Sequence, residues 1–230
     1  MKPPDSPPFF HSPTLSLPHS PSLPLIDWAV AARPLAGQSV SGDLHVVVPF
    51  PAGALVGAID GLGHGKEAAA AAAIAVATLT VHAHEPVIPL LKHCHERLKG
   101  TRGVVMSVAS FTARDHSMTW VGVGNVDGLL RRVDVNSQPP VESLLLRGGV
   151  VGYQLPPLRA FVLPVAQDDL LIFTTDGIRS NFARDLSSSA LLHRHTQGEP
   201  QHLANRILAQ YGKSTDDALV LVVRYLGGAP

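Results

Sequence analysis

Aspartates stand at four separated points of this chain where an apolar run begins or stops. They lie in Ser41-Gly42-Asp43, in Ile59-Asp60-Gly61-Leu62-Gly63-His64-Gly65-Lys66, in Phe173-Thr174-Thr175-Asp176-Gly177 and in Ser214-Thr215-Asp216-Asp217. Taken singly, Asp-Gly and Asp-Asp pairs are ordinary turn chemistry and more often structural than catalytic. Four such positions, each beside an apolar segment that fixes its place, make a donor set of the kind Mg²⁺ and Mn²⁺ take, since hard cations prefer oxygen ligands and keep several waters. In the second segment Gly61, Gly63 and Gly65 fall within five residues. A backbone that rich in glycine bends sharply and turns carbonyl and amide groups, instead of side chains, toward a ligand.

The elements that must position these residues are legible as short runs rich in Val, Leu and Ile with turn residues between them. Trp28 to Ala32, Leu44 to Val48 and Ala54 to Ile59 read as antiparallel strands. From Lys66 to about Ala83 an alanine-rich block predicts a helix whose small side chains let it pack closely on a sheet. A second helix is expected from about Pro86 to Leu98, where Val87, Leu90, Leu91, Cys94 and Leu98 recur at three- and four-residue spacings. Val104 to Phe111, Met118 to Val123, Gly128 to Val133, Ser143 to Leu146, Arg159 to Leu163 and Leu170 to Thr175 then read as a strand meander. A helix near Gln201 to Tyr211 and a strand from Ala218 to Tyr225 close the pattern. Many antiparallel strands with two pairs of flanking helices predict a layered α+β sandwich.

At 230 residues and 45% hydrophobic content the chain can bury one substantial core. Eighteen basic residues balance eighteen acidic ones, so the overall field gives no reason to expect nucleic acid or an anionic membrane as partner. A single cysteine, Cys94, excludes an internal disulfide and fits a reducing, cytoplasmic setting. Residues 1–24 hold eight prolines and five serines, which interrupt Phe9, Phe10, Leu15, Leu17 and Leu23 throughout. No continuous signal-peptide core or membrane span is expected there. We read residues 1–24 as a disordered tail, without function or with a tethering role, and residues 25–230 as one catalytic domain.

Ser-Gly-Asp, Asp-Gly-Leu-Gly-His-Gly, Gly122-Val123-Gly124-Asn125, Thr-Thr-Asp-Gly and Thr-Asp-Asp occur in an order that resembles bacterial metal-dependent phosphatases of the PPM family, in their SpoIIE/RsbX-type branch. The resemblance spans roughly Asp27 to Tyr225. It implies a four-layer α/β/β/α sandwich of two antiparallel sheets flanked by helices. It also implies a Mn²⁺- or Mg²⁺-dependent serine/threonine phosphatase with two divalent cations, acting on a phosphorylated regulatory protein of the STAS-domain type found in stressosomes. By the same resemblance Asp60 bridges both cations and the Gly61 carbonyl ligates the first. Asp176 and Asp216 complete the second, with the adjacent Asp217 as the alternative to Asp216. Asp43 contributes to the first cation directly or through a water. The two cations would lower the pKa of a bridging water, which attacks phosphorus in line with the leaving serine or threonine oxygen without a phosphoenzyme. The sequence departs from the family where Leu219 occupies a position that is often threonine.

His64, four residues after Asp60, is open to two readings: a general acid that protonates the leaving alkoxide, or a helix-capping or structural histidine. A catalytically inactive scaffold that binds a phosphorylated partner is the alternative function. Retention of every expected acidic position speaks against it, because clustered carboxylates repel one another without cations. Three sharper readings are set aside. His82, His84, His93, Cys94 and His95 superficially resemble a zinc cluster, but residues two apart point to different faces of a helix, so surface histidines are expected. Gly122 to Gly128 has its third glycine one residue late for a dinucleotide loop, and a hairpin turn suits it better. Gly65-Lys66 lacks the earlier glycine and the following Ser or Thr of a phosphate-binding loop. Arg33 does not match the spacing of the family's phosphate-binding arginine and is left outside the site.

Overall fold

The computed structural model describes residues 24–51, 53–134, 136–187 and 200–227. Apart from Pro24, the expectation of a disordered tail therefore lies outside the described residues. The strands are β1 (Ile26–Arg33), β2 (Asp43–Phe50), β3 (Gly53–Gly61), β4 (Val104–Thr112), β5 (Ser117–Val123), β6 (Asp127–Arg131), β7 (Val141–Ser143), β8 (Phe161–Pro164), β9 (Leu170–Thr174) and β10 (Ala218–Tyr225). The helices are α1 (Lys66–Val81), α2 (Val87–Leu98), α3 (Asn181–Ser187) and α4 (Pro200–Tyr211).

The strands form two antiparallel five-stranded sheets, ordered β1-β10-β9-β6-β7 and β2-β3-β4-β5-β8. Side-chain alternation explains how they stack. On β3, Leu55 and Ile59 face the alanines of α1 and the apolar face of α2, whereas Val56 and Ala58 face the other sheet. On β10, Val220 and Val222 pack with Ile207 and Tyr211 of α4 and Phe182 of α3, while Leu221, Val223 and Tyr225 join Phe111, Trp120 and Phe173 between the sheets. Strands covered on both faces read as unbroken apolar runs, which is why β3 and β10 are buried almost throughout. The result is the layered α+β sandwich that the strand and helix pattern predicts, in the α/β/β/α form that the family resemblance implies.

Three expectations need correction. The segment from Val104 onward is not a simple meander: β6, β7 and β9 lie in one sheet and β4, β5 and β8 in the other, so the chain crosses between layers after β5, after β7 and after β8. The turn at Gly124-Asn125 is accordingly a crossing and not a hairpin. Gly124 takes the left-handed φ of 93° that the crossing needs, and a side chain there would meet Val105 at 2.2 Å. The strand expected at Ser143 to Leu146 is instead β7 at Val141–Ser143, and α3, too short for a clear apolar period, was not anticipated.

Candidate active site

Strand register brings the first two aspartates together. Asp43 opens β2 and lies directly opposite Asp60 near the end of β3. In the other sheet β9 and β10 are neighbours, so Asp176, just after β9, and Asp216 and Asp217, just before β10, meet at the corresponding end. Two glycines make the approach possible. A Cβ at Gly177 would sit 1.8 Å from the Asp217 carbonyl oxygen, and one at Gly61 would sit 2.1 Å from the carbonyl oxygen of Ala68 in α1. The Asp-Gly pairs are thus needed for close backbone packing beside each carboxylate.

A cleft of about 610 Å³ opens over this junction, with Asp60, His64, Asn125, Asp176 and Asp216 among its walls. Asp43 lies behind that wall, 4% exposed, and accepts a hydrogen bond from the Thr175 hydroxyl at 2.7 Å. The same hydroxyl accepts from the Leu219 amide at 2.9 Å, so Thr175 ties β2 to the start of β10. The Leu219 side chain packs in the core between the sheets, where an apolar residue suits its surroundings. Asn125 donates to Asp176 Oδ2 at 2.8 Å, and Lys213 Nζ donates to the Asp176 carbonyl.

The two neighbouring aspartates have different fates. Asp217 is buried, and both of its oxygens accept backbone hydrogen bonds, Oδ1 from Leu35 at 2.6 Å and Oδ2 from Gly42 at 2.8 Å. Asp216 accepts from the Asp217 amide at 2.9 Å and faces the cleft. Asp217 is therefore a strut that pins the β1–β2 connection, and Asp216 is the carboxylate open to a ligand. His64 stands exposed on the turn between β3 and α1. The N-cap of α1 is Gly65, with no side-chain capping hydrogen bond, so the capping reading of His64 does not hold.

Electrostatics match a cluster of like charges. Burial, and then repulsion from Asp43, Asp176, Asp216 and Asp217, pushes the Asp60 carboxyl up to about 8. Burial raises Asp43 to about 7 against the opposing hydrogen bond from Thr175, with the other aspartates adding to the rise. Asp216 is raised in the same direction by burial and by Asp176. Carboxylates so arranged are poor company as bare anions, and an all-oxygen set of this kind could hold hard divalent cations.

Sequence reasoning missed Asn125 and Thr175 as members of the site. Asn125 lies in a glycine-rich segment whose pattern points to a turn, and Thr175 precedes an aspartate without a signal of its own. The histidines outside the cleft divide in a way the sequence did not suggest. His84 is exposed and His95 Nδ1 accepts from the Gly152 amide at 3.0 Å, so the two-apart pairs do diverge. His82 and His93, however, meet at Glu85 across the junction of α1 and α2.

The family model of stage II sporulation protein E (SpoIIE) matches residues 52–226. No curated protein sequence matches the chain significantly. Among solved structures, one from work on the bacterial stressosome, described as a modular system adapted to control secondary messenger signalling, is 26% identical with a TM-score of 0.78, over 86% of this chain and 99% of that one. RsbX in complex with magnesium is 20% identical at a TM-score of 0.74, covering 87% of this chain and 95% of the other. The phosphatase domain of SpoIIE from Bacillus subtilis, with a fragment of its regulatory domain, is 19% identical at 0.72, over 86% and 63% of the two chains. With a matched segment that runs from before Asp60 to beyond Asp217, this chain belongs to the SpoIIE family of PPM-type serine/threonine phosphatases.

Proposed function

We propose that this chain hydrolyses phosphoserine or phosphothreonine on a regulatory protein of the STAS-domain type, with two Mn²⁺ or Mg²⁺ ions held by Asp60, Asp176, Asp216 and the Gly61 carbonyl, and with Asp43 contributing directly or through a water. The observation that carries this reading is that Asp60, Asp176 and Asp216, delivered by three separate strand ends, face one cleft and are flanked there by more negative charge than positive. When bound, the cations supply Lewis acidity that acidifies water and neutralises phosphoryl oxygens. The chain supplies the placement. Asn125 orients Asp176, Thr175 orients Asp43 behind Asp60, and Asp217 holds the β1–β2 connection against β10. His64 on the cleft wall has an imidazole suited to give a proton to the leaving serine or threonine oxygen.

The likeness to a stressosome structure and to RsbX supports a phosphorylated regulatory protein as substrate. No helix among the described residues is long and apolar enough to cross a membrane, and Cys94 is a buried free thiol that burial pushes up to about 12, which keeps it protonated and unreactive. The test is phosphate release from a phosphoserine STAS-domain protein and from p-nitrophenyl phosphate with Mn²⁺, with Mg²⁺ and with EDTA. Cation-dependent release from both is expected. Folded protein that is silent in every metal would overturn the reading.

A further inference from the structure

The junction between α1 and α2 gathers a second group of metal-binding side chains, remote from the cleft. His82 is the C-cap of α1, its amide bonded to the Thr78 carbonyl at 3.2 Å, and the Glu85 amide closes a turn onto the His82 carbonyl at 2.9 Å. His93 reaches the same place from α2. Its position is fixed because Val87, Leu90, Leu91 and Cys94 of that helix, with Leu79 and Ala83 from α1 and the turn after it, are buried in one core. The result is a carboxylate held between two imidazoles. His82 Nδ1 lies 2.7 Å from Glu85 Oε1 and His93 Nδ1 lies 3.1 Å from Glu85 Oε2. One donor atom from each of the three residues falls within 4.8 Å of the others, and the two ring centroids are 4.9 Å apart.

An ion pair with Glu85 needs only one protonated imidazole. Here both rings turn the same nitrogen onto opposite oxygens of one carboxylate, and protonating both would set two positive charges side by side. A divalent ion bound at the Nδ1 atoms of two neutral imidazoles, each keeping its one ring proton on Nε2, and by the carboxylate satisfies all three groups and releases a proton only from a ring that was charged. Bond lengths of about 2.0–2.2 Å to histidine nitrogen and carboxylate oxygen in a tetrahedral zinc site separate the ligand atoms by roughly 3.3 Å, a separation that lies between the 2.7 and 3.1 Å nitrogen–oxygen distances and the 4.8 Å within which all three donors fall. Imidazole donors favour Zn²⁺ over the Mg²⁺ and Mn²⁺ that suit an all-oxygen cleft. Side-chain exposures of 36% at His82, 49% at His93 and 25% at Glu85 leave room for water to complete the coordination. The sixteen-residue length of α1, about 24 Å, separates this group from the turn that carries His64.

We propose that His82, Glu85 and His93 form a Zn²⁺ site that clasps α1 to α2, independent of the catalytic cations. The experiment titrates the full chain with Zn²⁺ in saturating Mg²⁺ and follows the imidazole nitrogens by long-range ¹H–¹⁵N NMR, together with the melting temperature. One equivalent of Zn²⁺ should shift the Nδ1 resonances of His82 and His93 and raise the melting temperature in wild type and in D60N alike. In H82A/H93A the melting response should vanish and zinc affinity should fall about tenfold or more. E85Q, which keeps both rings and the side-chain size, carries the same comparison if the double variant does not fold. Zinc responses unchanged in H82A/H93A or E85Q, zinc responses lost in D60N, or Nδ1 resonances that move with pH but not with Zn²⁺, would overturn the site. None of these readouts depends on phosphatase turnover, so the proposal stands or falls apart from the proposed function.

Discussion

Removing the charge of Asp60 should make the metal-free protein more stable than wild type by a margin that grows as pH rises, even as it destroys activity. In the folded chain without cations the Asp43 and Asp60 carboxyls lie at about 7 and about 8, against an ordinary 3.8. Between pH 5 and 6.5 the folded protein therefore keeps two protons that the unfolded chain has released. Stability rises with pH only where the unfolded state binds more protons, so these two groups act the other way. Their contribution is fully present below the unfolded value near 4 and is lost as pH climbs toward 7 and 8. Each retained proton costs about 1.4 kcal/mol per pH unit, giving a downward slope near 2.7 kcal/mol per unit for the pair. In D60N the asparagine has no proton to retain, and the slope should fall by about 1.4 kcal/mol per unit, so that D60N gains roughly 2–3 kcal/mol on wild type between pH 5 and 7. His45, lowered by burial, contributes with the opposite sign, but it does so equally in both proteins and cancels in the difference. Urea unfolding in EDTA, read by tryptophan fluorescence at pH 5, 6 and 7, measures both slopes. Saturating Mg²⁺ should flatten the wild-type slope by keeping the carboxylates ionised. Equal slopes in wild type and D60N would refute the charge-cluster reasoning.

D216N should lose cation-dependent turnover while unfolding within about 1 kcal/mol of wild type, whereas D217N should cost about 2–4 kcal/mol because two backbone donors lose a charged acceptor in a buried place; urea melts and phosphate release separate the two. G177A should destabilise by several kcal/mol or prevent folding, since its Cβ would stand 1.8 Å from the Asp217 carbonyl oxygen; circular dichroism melts check this. H64A should slow release from a phosphoserine protein by about a hundredfold but from p-nitrophenyl phosphate by less than about threefold, because p-nitrophenolate leaves without a proton. Equal losses on both substrates would move His64 from proton donor to a binding or structural role.

Most strands and three of the four helices among the described residues could be read from the sequence because their physics is local. An alternating or unbroken apolar run marks a strand wherever the layers cover it, and the alanine block of α1 could hardly pack elsewhere than on a sheet. What was not legible depends on partners distant in sequence. Whether the chain turns back beside β5 or crosses to the other sheet depends on β6 pairing with β9, some forty residues later, and nothing in Gly122 to Gly128 encodes that neighbour. Likewise Asn125 becomes part of the site only because the crossing carries it to Asp176. The spacing argument against chelation by histidines was sound within one helix and failed because His82 and His93 belong to two elements that a buried core holds together.

The adjacent pair Asp216-Asp217 shows most directly how the fold divides labour among identical residues. Both lie one or two positions before β10, and sequence offers no reason to prefer either. Once Ala218 is committed to the helix side of the sheet and Leu219 to the space between sheets, the residue immediately before them is drawn inside, where an unpaired carboxylate would be costly. Asp217 meets that cost with the amides of Leu35 and Gly42, and in doing so fixes the loop that leads into Asp43. Asp216, one residue farther out, stays in the cleft wall with a carboxylate oxygen left for a ligand. The buried Asp217 thus holds the scaffold on which the other aspartates are clustered, and their mutual repulsion is tolerable because the surrounding strands, glycines and hydrogen bonds leave them nowhere else to go until a cation arrives.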